Sequence, residues 1–173
     1  MEQSEIVDAT LQVFTQVTDA HPDTRLAMQA CLHRTPADLE SMASAKPRVR
    51  LVKGAYAEPA ERALQSRSAV LEQYRMLTNW LFEHGVDPAF GTHDDECIDY
   101  AKQAAAAAGR DKSDFEFQML YGIRRDLQRS LVRDGYRVRV YIPFGSAWYP
   151  YLMRRMAERP ANLLFFLRSL VGR

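Results

Sequence analysis

Five short apolar runs along the chain have the length and composition of β-strands buried in a sheet. In the last run, valine and isoleucine alternate with arginine and tyrosine, which is typical of a strand with one buried face. The predicted strands are residues 25–32, 49–55, 88–92, 115–120 and 136–143.

The segments between these runs repeat their apolar residues every three to four positions, which predicts amphipathic helices. These helices are residues 5–19, 36–44, 60–84, 95–108 and 124–134. Thr35 followed by Pro36 predicts an N-cap and a first helical position. Gly109 and Gly135 mark helix ends.

Strands that alternate with helices are typical of βαβ units in a parallel sheet. The first predicted element is a helix with no strand before it. A complete eight-stranded (βα)8 barrel takes about 250 residues, whereas this chain has 173. Two α/β interpretations therefore remain: a small open sheet, or the back part of a (βα)8 barrel whose front strands are absent.

Charge and cysteine content narrow the class of protein. The chain carries 23 basic and 22 acidic residues and shows no basic stripe, so a nucleic-acid partner is not expected. Cys31 and Cys97 lack the spacing of a disulfide framework or zinc site, which fits a reducing cytoplasm. The late apolar run 163–167 is too short to span a bilayer, and the acidic start does not resemble a signal peptide.

The segment RLVKGAYAEP, residues 50–59, ends a predicted strand with small residues. Gly54 and Ala55 would let a flat ligand approach the backbone there. Arg50 lies within an apolar strand, where a charge is costly unless an anion or a polarised ring meets it. The simpler alternative is a turn glycine, with Arg50 and Lys53 in salt bridges.

The segment GTHDD, residues 91–95, places Thr92 and His93 at the tip of the next strand. Both could hydrogen-bond a ligand, while Asp94 or Asp95 could cap the following helix. Capping alone is the simpler interpretation. A single histidine is weak support for a metal, so no metal site is predicted.

The run FEFQML, residues 115–120, alternates phenylalanine and methionine with Glu116 and Gln118. In a barrel, one of the two sets would face the interior, where a buried Glu116 requires a donor. Gln118 could then hydrogen-bond the edge of a ring, or the two side chains could simply form a polar layer.

The segment YIPFGSAWYPYLMRRMAERPAN, residues 141–162, places Arg154 and Arg155 behind a block of aromatic residues. An arginine fork matches a carboxylate, provided that the helix end overhangs the site. Glu158 lies one helical turn later and could hold one arginine in place. Tyr141 could close over an apolar part of the ligand. The alternative is a solvated helix face.

Five motifs in this order resemble the proline dehydrogenase family: QACLHRT, VRLVKGAY, THD, FEFQMLYG and the segment just described. The resemblance runs through nearly the whole chain and implies a distorted (βα)8 barrel with non-covalent FAD at its carboxyl face. It implies oxidation of L-proline to 1-pyrroline-5-carboxylate by hydride transfer from C5 to the flavin N5. It also implies a quinone as electron acceptor, and hence a cytoplasmic protein with a peripheral contact at the membrane.

The resemblance also assigns roles to residues. Arg154 and Arg155 would hold the proline carboxylate with support from Glu158, and Arg50 would act at the flavin N5. The residues that would pack on the proline ring are Tyr56, Leu120 and Tyr141. The residues that match positions at the flavin are Gln29, Arg50, Val52, Lys53, Gly54, Ala55, Thr92, His93 and Gln118.

The front strands of the family, with a substrate-site lysine and an aspartate, have no counterpart in residues 1–173. The expectation is therefore a fragment, residues 1–173 being the C-terminal part of the barrel, that alone binds FAD weakly or not at all. Its partner would be the missing half-barrel as a separate chain. Two alternatives remain: a non-catalytic half-barrel that only binds a partner chain, and a flavin barrel acting on another cyclic or N-alkyl amino acid.

Overall fold

A computed structural model describes residues 3–54, 56–142 and 144–145 of the chain. In this part, the strands are β1 Leu26–Gln29, β2 Val49–Val52, β3 Ala89–Gly91, β4 Glu116–Leu120 and β5 Arg137–Tyr141. The α-helices are α1 Val7–Ala20, α2 Thr35–Ser41, α3 Arg67–His84, α4 Asp95–Ala107 and α5 Arg125–Arg133. Single 3-10 turns lie at Ser4–Ile6 and Ala43–Ala45. Among these helices, none combines the length and hydropathy needed to cross a membrane.

The five strands form one parallel sheet in the order β1-β2-β3-β4-β5. Parallel crossovers are right-handed, so an order that never reverses sends every connecting helix to the same face. A doubly wound open sheet reverses its order and has helices on both faces. The observed order is therefore that of a barrel section, which confirms the predicted α/β class.

The helices and one face of the sheet enclose the apolar core. It includes Phe14 of α1, Leu39 of α2 and Leu131 of α5, all buried. Phe115 lies at its centre, with ring centroids 5.3 Å from Phe82 and 5.9 Å from Phe90, both edge-on. Such contacts add about 0.5–1.5 kcal/mol each to the free energy of burial. The core thus fixes the sheet against its helices and leaves the opposite sheet face to other contacts.

Because side chains alternate along a strand, the opposite face carries a different set of residues. Strand register aligns them in rows across the sheet. The row nearest the amino ends is Ala27, Arg50, Ala89, Glu116 and Arg137; the next includes Gly91, Gln118 and Arg139; the last is Leu120 with Tyr141. This face is mostly polar, as in the interior of a barrel whose side chains stack in layers.

Glu116 is the central anion of this polar face and is only 3% exposed. Its carboxylate accepts hydrogen bonds from Arg25, from Arg139 at 2.9 and 3.0 Å, and from Arg137 at 3.3 Å. Gln118 donates to it as well. The donors that sequence analysis required for a buried Glu116 are therefore present.

Asp87, in the turn before β3, is a second shared carboxylate. It accepts from Arg25, from Arg48 at 2.8 Å and from Arg137 at 2.8 Å. Arg25 and Arg137 therefore connect the two carboxylates into one charged network at the amino ends of the strands. This network ties β1, β4 and β5 to the turn before β3.

Two local predictions are wrong. Thr35 is not an N-cap: it is the first residue of α2, and its hydroxyl donates to the Gln29 carbonyl at 2.6 Å, so the side chain serves β1 instead. The helix predicted from residue 60 begins at Arg67, because Ala63 forms a bridge with Leu32 and Ser66 is the N-cap. Gly109 and Gly135, with φ of 65° and 87°, end helices as predicted.

Replacing Glu116 by glutamine is expected to lower the free energy of unfolding by about 2 kcal/mol, because the buried carboxylate loses the charge that pairs with Arg25, Arg137 and Arg139, two of which solvent partly screens. Urea unfolding of the purified chain measures it. The matched control is Glu72→Gln on the exposed side of α3, which should change stability by less than about 0.5 kcal/mol. A loss in Glu116→Gln as small as the control's would contradict the role of this network.

The same carboxylate predicts a pH dependence. Burial by itself would raise the pKa of Glu116, but hydrogen bonds from Arg139 and Gln118 and the charge of Arg25 outweigh it, and the pKa falls from 4.5 to about 2. The unfolded chain therefore binds this proton at a higher pH than the folded chain. The stabilisation is complete above pH 4.5 and is lost as the pH falls from 4.5 to about 2.

The stability difference between the wild-type chain and Glu116→Gln should therefore stay constant from neutral pH down to 4.5 and shrink below it. Urea unfolding of both proteins over this range gives the difference directly. A difference that did not change with pH would show that Glu116 is not ionised against the arginines.

Candidate functional site

The carboxyl ends of parallel strands meet at one edge of the sheet, where ligands of α/β proteins bind. The residues predicted for the site end these strands or follow them directly. They are Gln29 at the end of β1; Val52, Lys53 and Gly54 at the end of β2; Thr92 and His93 after β3; Leu120 at the end of β4; and Tyr141 at the end of β5. We call this set the carboxyl edge.

Arg50 lies one layer below the carboxyl edge and has small neighbours on both sides. Its register partners are Ala27 on β1 and Ala89 on β3. A Cβ added to Gly91 would lie 3.0 Å from the Arg50 Nε and 2.8 Å from Val52 Cγ1. The glycine therefore leaves room for a guanidinium that runs along the sheet toward the carboxyl edge.

Gly54 brings main chain against the end of β1. Hydrogen bonds from Ala30 N to Val52 O, 2.7 Å, and from Cys31 N to Lys53 O, 2.8 Å, extend the pairing of β1 with β2. Gly54 has a φ of 131°, and a Cβ there would lie 2.3 Å from the Cys31 sulfur. Glycine is thus required at this position because the Cys31 side chain packs against it, and the predicted approach of a flat ligand to this backbone stays a prediction.

Gln29 and Tyr56 flank this glycine. The Gln29 side chain is 3% exposed, and its Oε1 lies 3.5 Å from the position of the Cβ that Gly54 lacks. Tyr56 follows two residues after Gly54 and is half-buried. The Gln29 amide and the main chain at Gly54 therefore lie next to each other.

Asp94 is committed to the scaffold. Its Oδ1 accepts from Glu96 N at 3.0 Å, which makes it the N-cap of α4, and its Oδ2 accepts from Lys53 Nζ at 2.6 Å. Burial would raise its pKa, but the hydrogen bond and charge of Lys53 outweigh burial and lower it. Asp94 N in turn donates to the hydroxyl of the buried Thr92 at 3.1 Å. The predicted cap is confirmed, and the Lys53 ion pair matches the simpler alternative.

His93 is held differently from its neighbours. Its Nε2 accepts a hydrogen bond from Leu120 N at 2.9 Å, so the neutral ring carries its proton on Nδ1. Burial, and then the positive charges of Arg124 and Arg50, lower the pKa of His93 to about 4. The ring is therefore a neutral hydrogen-bond donor at ordinary pH.

Sequence analysis gave no role to Arg124. Its Nη1 donates to the His93 carbonyl at 3.1 Å and to Asp95 at 2.8 Å. Its backbone is left-handed, with a φ of 48°. Sequence periodicity does not indicate either feature. A pair of arginines before a helix is typical of a solvated helix start.

The outer layer of the carboxyl edge is formed by Leu120 and Tyr141, which are register partners. Tyr121 N donates to Tyr141 O at 2.9 Å and continues the ladder beyond β4. Tyr141 is 51% exposed. Gln118 lies one layer below, with its amide nitrogen bonded to Glu116.

The remaining predicted residues, Ala55, Arg154, Arg155 and Glu158, lie outside the described residues, so their roles stay predictions. Among the described residues, no cluster of histidine, cysteine and carboxylate side chains could hold a metal ion. Burial raises the pKa of the Cys97 thiol to about 11, which makes it a poor nucleophile. At the carboxyl edge, Gln29, His93 and Arg50 bring an amide, an imidazole and a guanidinium to the same end of the sheet as the main chain at Gly54.

A family model described as proline dehydrogenase matches residues 1–168 of the chain. Proline dehydrogenase 2 of Bacillus subtilis (strain 168) is 41% identical over 170 residues, which are 98% of this chain and 56% of that protein. Proline dehydrogenase of Deinococcus radiodurans is 41% identical over 173 residues, 99% of this chain and 56% of that protein. The chain thus spans little more than half the length of these relatives.

Solved structures agree with the sequence relatives. Proline utilization A (PutA) of Bdellovibrio bacteriovorus, inactivated by N-propargylglycine, superposes with a TM-score of 0.86 at 28% identity. The match covers 99% of this chain and 20% of that one. A variant of Bradyrhizobium japonicum PutA gives a TM-score of 0.79 at 25% identity, over 98% of this chain and 20% of the other.

The contact between Gly54 and Cys31 gives a stability prediction. Gly54→Ala should lower the free energy of unfolding by more than about 2 kcal/mol, because left-handed strain of about 1–2 kcal/mol adds to the overlap with the Cys31 sulfur. Thermal and urea unfolding measure the loss.

The control is Gly122→Ala. Gly122 has a φ of 80° but no heavy atom within 4 Å of the position of an added Cβ, so its alanine variant should lose only the strain. In a Cys31→Ala background, Gly54→Ala should become less damaging. Equal losses at the two glycines would argue against the close approach.

Proposed function

Because the chain belongs to the proline dehydrogenase family, we propose that it supplies the FAD- and proline-binding edge of an enzyme that oxidises L-proline to 1-pyrroline-5-carboxylate. The observation that carries the proposal is the convergence of Gln29, Arg50, Gly54 and His93 at one edge of a parallel sheet. A planar acceptor-rich ring fits an amide, a guanidinium and an imidazole N–H at the same end of the sheet as the main chain at Gly54.

Bound FAD would supply the redox chemistry, taking a hydride from C5 of proline at its N5 and passing the electrons on to a quinone. The residues that would hold it are Gln29, Thr92, His93 and the segment from Val52 to Ala55, with Gln118 beneath. Gly54 has no side chain of its own, so its main-chain groups would meet the ligand, while Cys31 packs against the glycine. The protein's part is binding, orientation and electrostatics.

Arg50 has the strongest electrostatic role in this proposal. Arg50 is paired between Ala27 and Ala89, and its guanidinium lies beside Gly91, on the side of the carboxyl edge. A fixed positive charge stabilises negative charge that develops in the transition state. Because Arg50 is set in a strand and not in a loop, no reorganisation is needed at the moment of reaction.

Substrate binding is assigned to the outer layer. Leu120 and Tyr141 lie side by side on β4 and β5 and offer an apolar surface for the pyrrolidine ring, with Tyr56 from the β2 side. Arg154 and Arg155, supported by Glu158, would grip the proline carboxylate. The amine of proline must be unprotonated before C5 loses a hydride, and His93, whose Nε2 is already bonded, is not the group that takes that proton.

Flavin titration and a proline assay test the proposal. The purified chain is titrated with FAD by fluorescence quenching and assayed with L-proline and an artificial electron acceptor. Since the chain spans 56% of the Bacillus subtilis relative, a second protein is needed, in which this chain replaces the matching segment of that relative. We expect this chimera, called the replaced protein below, to bind FAD and to reduce the acceptor with L-proline.

Parallel assays with hydroxyproline and pipecolate define the substrate. Turnover of L-proline above both supports the proposal. A flavin that these two reduce and proline does not would assign the edge to a different cyclic amino acid. A replaced protein that folds but takes no FAD would refute the proposal.

Arg50→Gln in the replaced protein should slow flavin reduction by about 100-fold at saturating proline, because a charge aimed at the transition state is lost. Stopped-flow bleaching of the flavin absorbance measures the rate. Arg50→Lys keeps the charge but not the fork and should fall in between. The control Arg125→Gln, on the exposed side of α5, should react at the wild-type rate, and an equally fast Arg50→Gln would remove Arg50 from the mechanism.

A further inference from the structure

Arg124 connects two loops of the carboxyl edge. It lies between β4 and α5, and its Nη1 reaches the loop between β3 and α4 at the His93 carbonyl, 3.1 Å, and at Asp95, 2.8 Å. Its side chain is only 25% exposed. The contact therefore ties the loop that carries His93 to the loop that follows Leu120.

The backbone of Arg124 is strained. Its φ of 48° and ψ of 53° are left-handed, and its side chain makes no capping hydrogen bond to α5. A residue other than glycine loses about 1–2 kcal/mol in this conformation and keeps it only where other contacts hold it there. The bonds to His93 and Asp95 are such contacts.

The imidazole of His93 is held from the other side. Leu120 N donates to Nε2 at 2.9 Å, and this bond requires a bare Nε2 with the ring proton on Nδ1. A protonated ring would turn two N–H groups toward each other and break the bond. The ionic side chains on the elements around this ring are Arg50 of β2 and Lys53 after it, Asp94 and Asp95 at the start of α4, Glu116 of β4, Arg124 of the β4–α5 loop, and Arg139 of β5.

We propose that Arg124 is a positioning residue that keeps the His93 imidazole against the Leu120 amide as the Nδ1-protonated tautomer, so that a fixed N–H donor faces the carboxyl edge. The tautomer follows from contacts within the chain. Only the identity of the acceptor, a polar atom of FAD, rests on the proposed function.

The electrostatics agree with this geometry. Burial and the charge of Arg124 lower the pKa of His93 to about 4 from an ordinary 6.5. Arg124 thus acts twice: its Nη1 holds the His93 carbonyl, and its charge opposes protonation of the ring. The neutral Nδ1-protonated ring would therefore persist at pH values well above 4.

Ring-nitrogen NMR of the full chain, without cofactor, tests the proposal through tautomer and titration midpoint. Arg124→Gly is the main variant. Glycine adopts the left-handed conformation without steric strain, while the guanidinium and its charge are lost. Arg124→Lys keeps the positive charge but replaces the planar guanidinium by a flexible ammonium group. Arg125→Gln removes an adjacent exposed arginine and serves as the control.

We expect the wild-type chain and Arg125→Gln to show one Nδ1-protonated form of His93. In Arg124→Gly, a second, Nε2-protonated form should appear, and the midpoint should rise from about 4 toward 6.5. In Arg124→Lys, the second form should appear with a smaller rise. A single Nδ1-protonated form with an unchanged midpoint in Arg124→Gly would overturn the proposal. If Arg124→Gly does not fold, the same criterion applies to Arg124→Lys: a single Nδ1-protonated form of His93 would overturn the proposal.

FAD binding, measured separately in the replaced protein, should weaken by about tenfold in Arg124→Gly, as one hydrogen bond loses its geometry. A tautomer change without any FAD binding would refute the proposed function and leave the positioning role intact. Normal FAD binding with an unaffected tautomer would refute the positioning role and leave the proposed function intact.

Discussion

The polar face of the sheet depends on one buried carboxylate, that of Glu116. A sequential parallel sheet sends its helices to one side, so the strands themselves must fill the other side with side chains. Here those side chains include several arginines, which would repel each other in a poorly solvated layer. Glu116, shared among Arg25, Arg137 and Arg139, makes the layer possible. Asp87, in the turn before β3, is shared in the same way among Arg25, Arg48 and Arg137.

This arrangement separates the two ends of the sheet by function. The arginines at the amino ends form ion pairs with carboxylates, which neutralise their charge within the fold. Arg50 lies in the same row as Glu116, yet its neighbours are alanines, and Gly91 opens the way upward. The small side chains around it leave its guanidinium space on the side of the carboxyl edge. The difference between Arg50 and the arginines at the amino ends depends on the size of the neighbouring side chains as much as on charge.

Periodic signals in the sequence predicted the strands, their parallel arrangement and the edge where their ends meet. They did so because alternation and helical spacing reflect burial, which the core satisfies. Thr35 and residues 60–66 were mispredicted because a tertiary contact decided them: the Gln29 carbonyl for Thr35, and the bridge to Leu32 for Ala63. Arg124 could not be found at all, because its role depends on a left-handed backbone and on a loop about thirty residues away.

The loop after β3 shows how the carboxyl edge divides its polar groups. The Thr92 hydroxyl accepts from Asp94 N, Asp94 caps α4, and the Lys53 ammonium pairs with Asp94, so these side chains also hold the loop in place. His93 alone among them has one nitrogen bonded to the scaffold while the other carries a proton. A neutral imidazole whose Nε2 is occupied cannot act as a general base, but it can orient a ligand. Such an edge suits a reaction whose bond-making is done by a bound redox ring, because the protein then has to hold that ring in place and meet its developing charge, which is the part Arg50 can play.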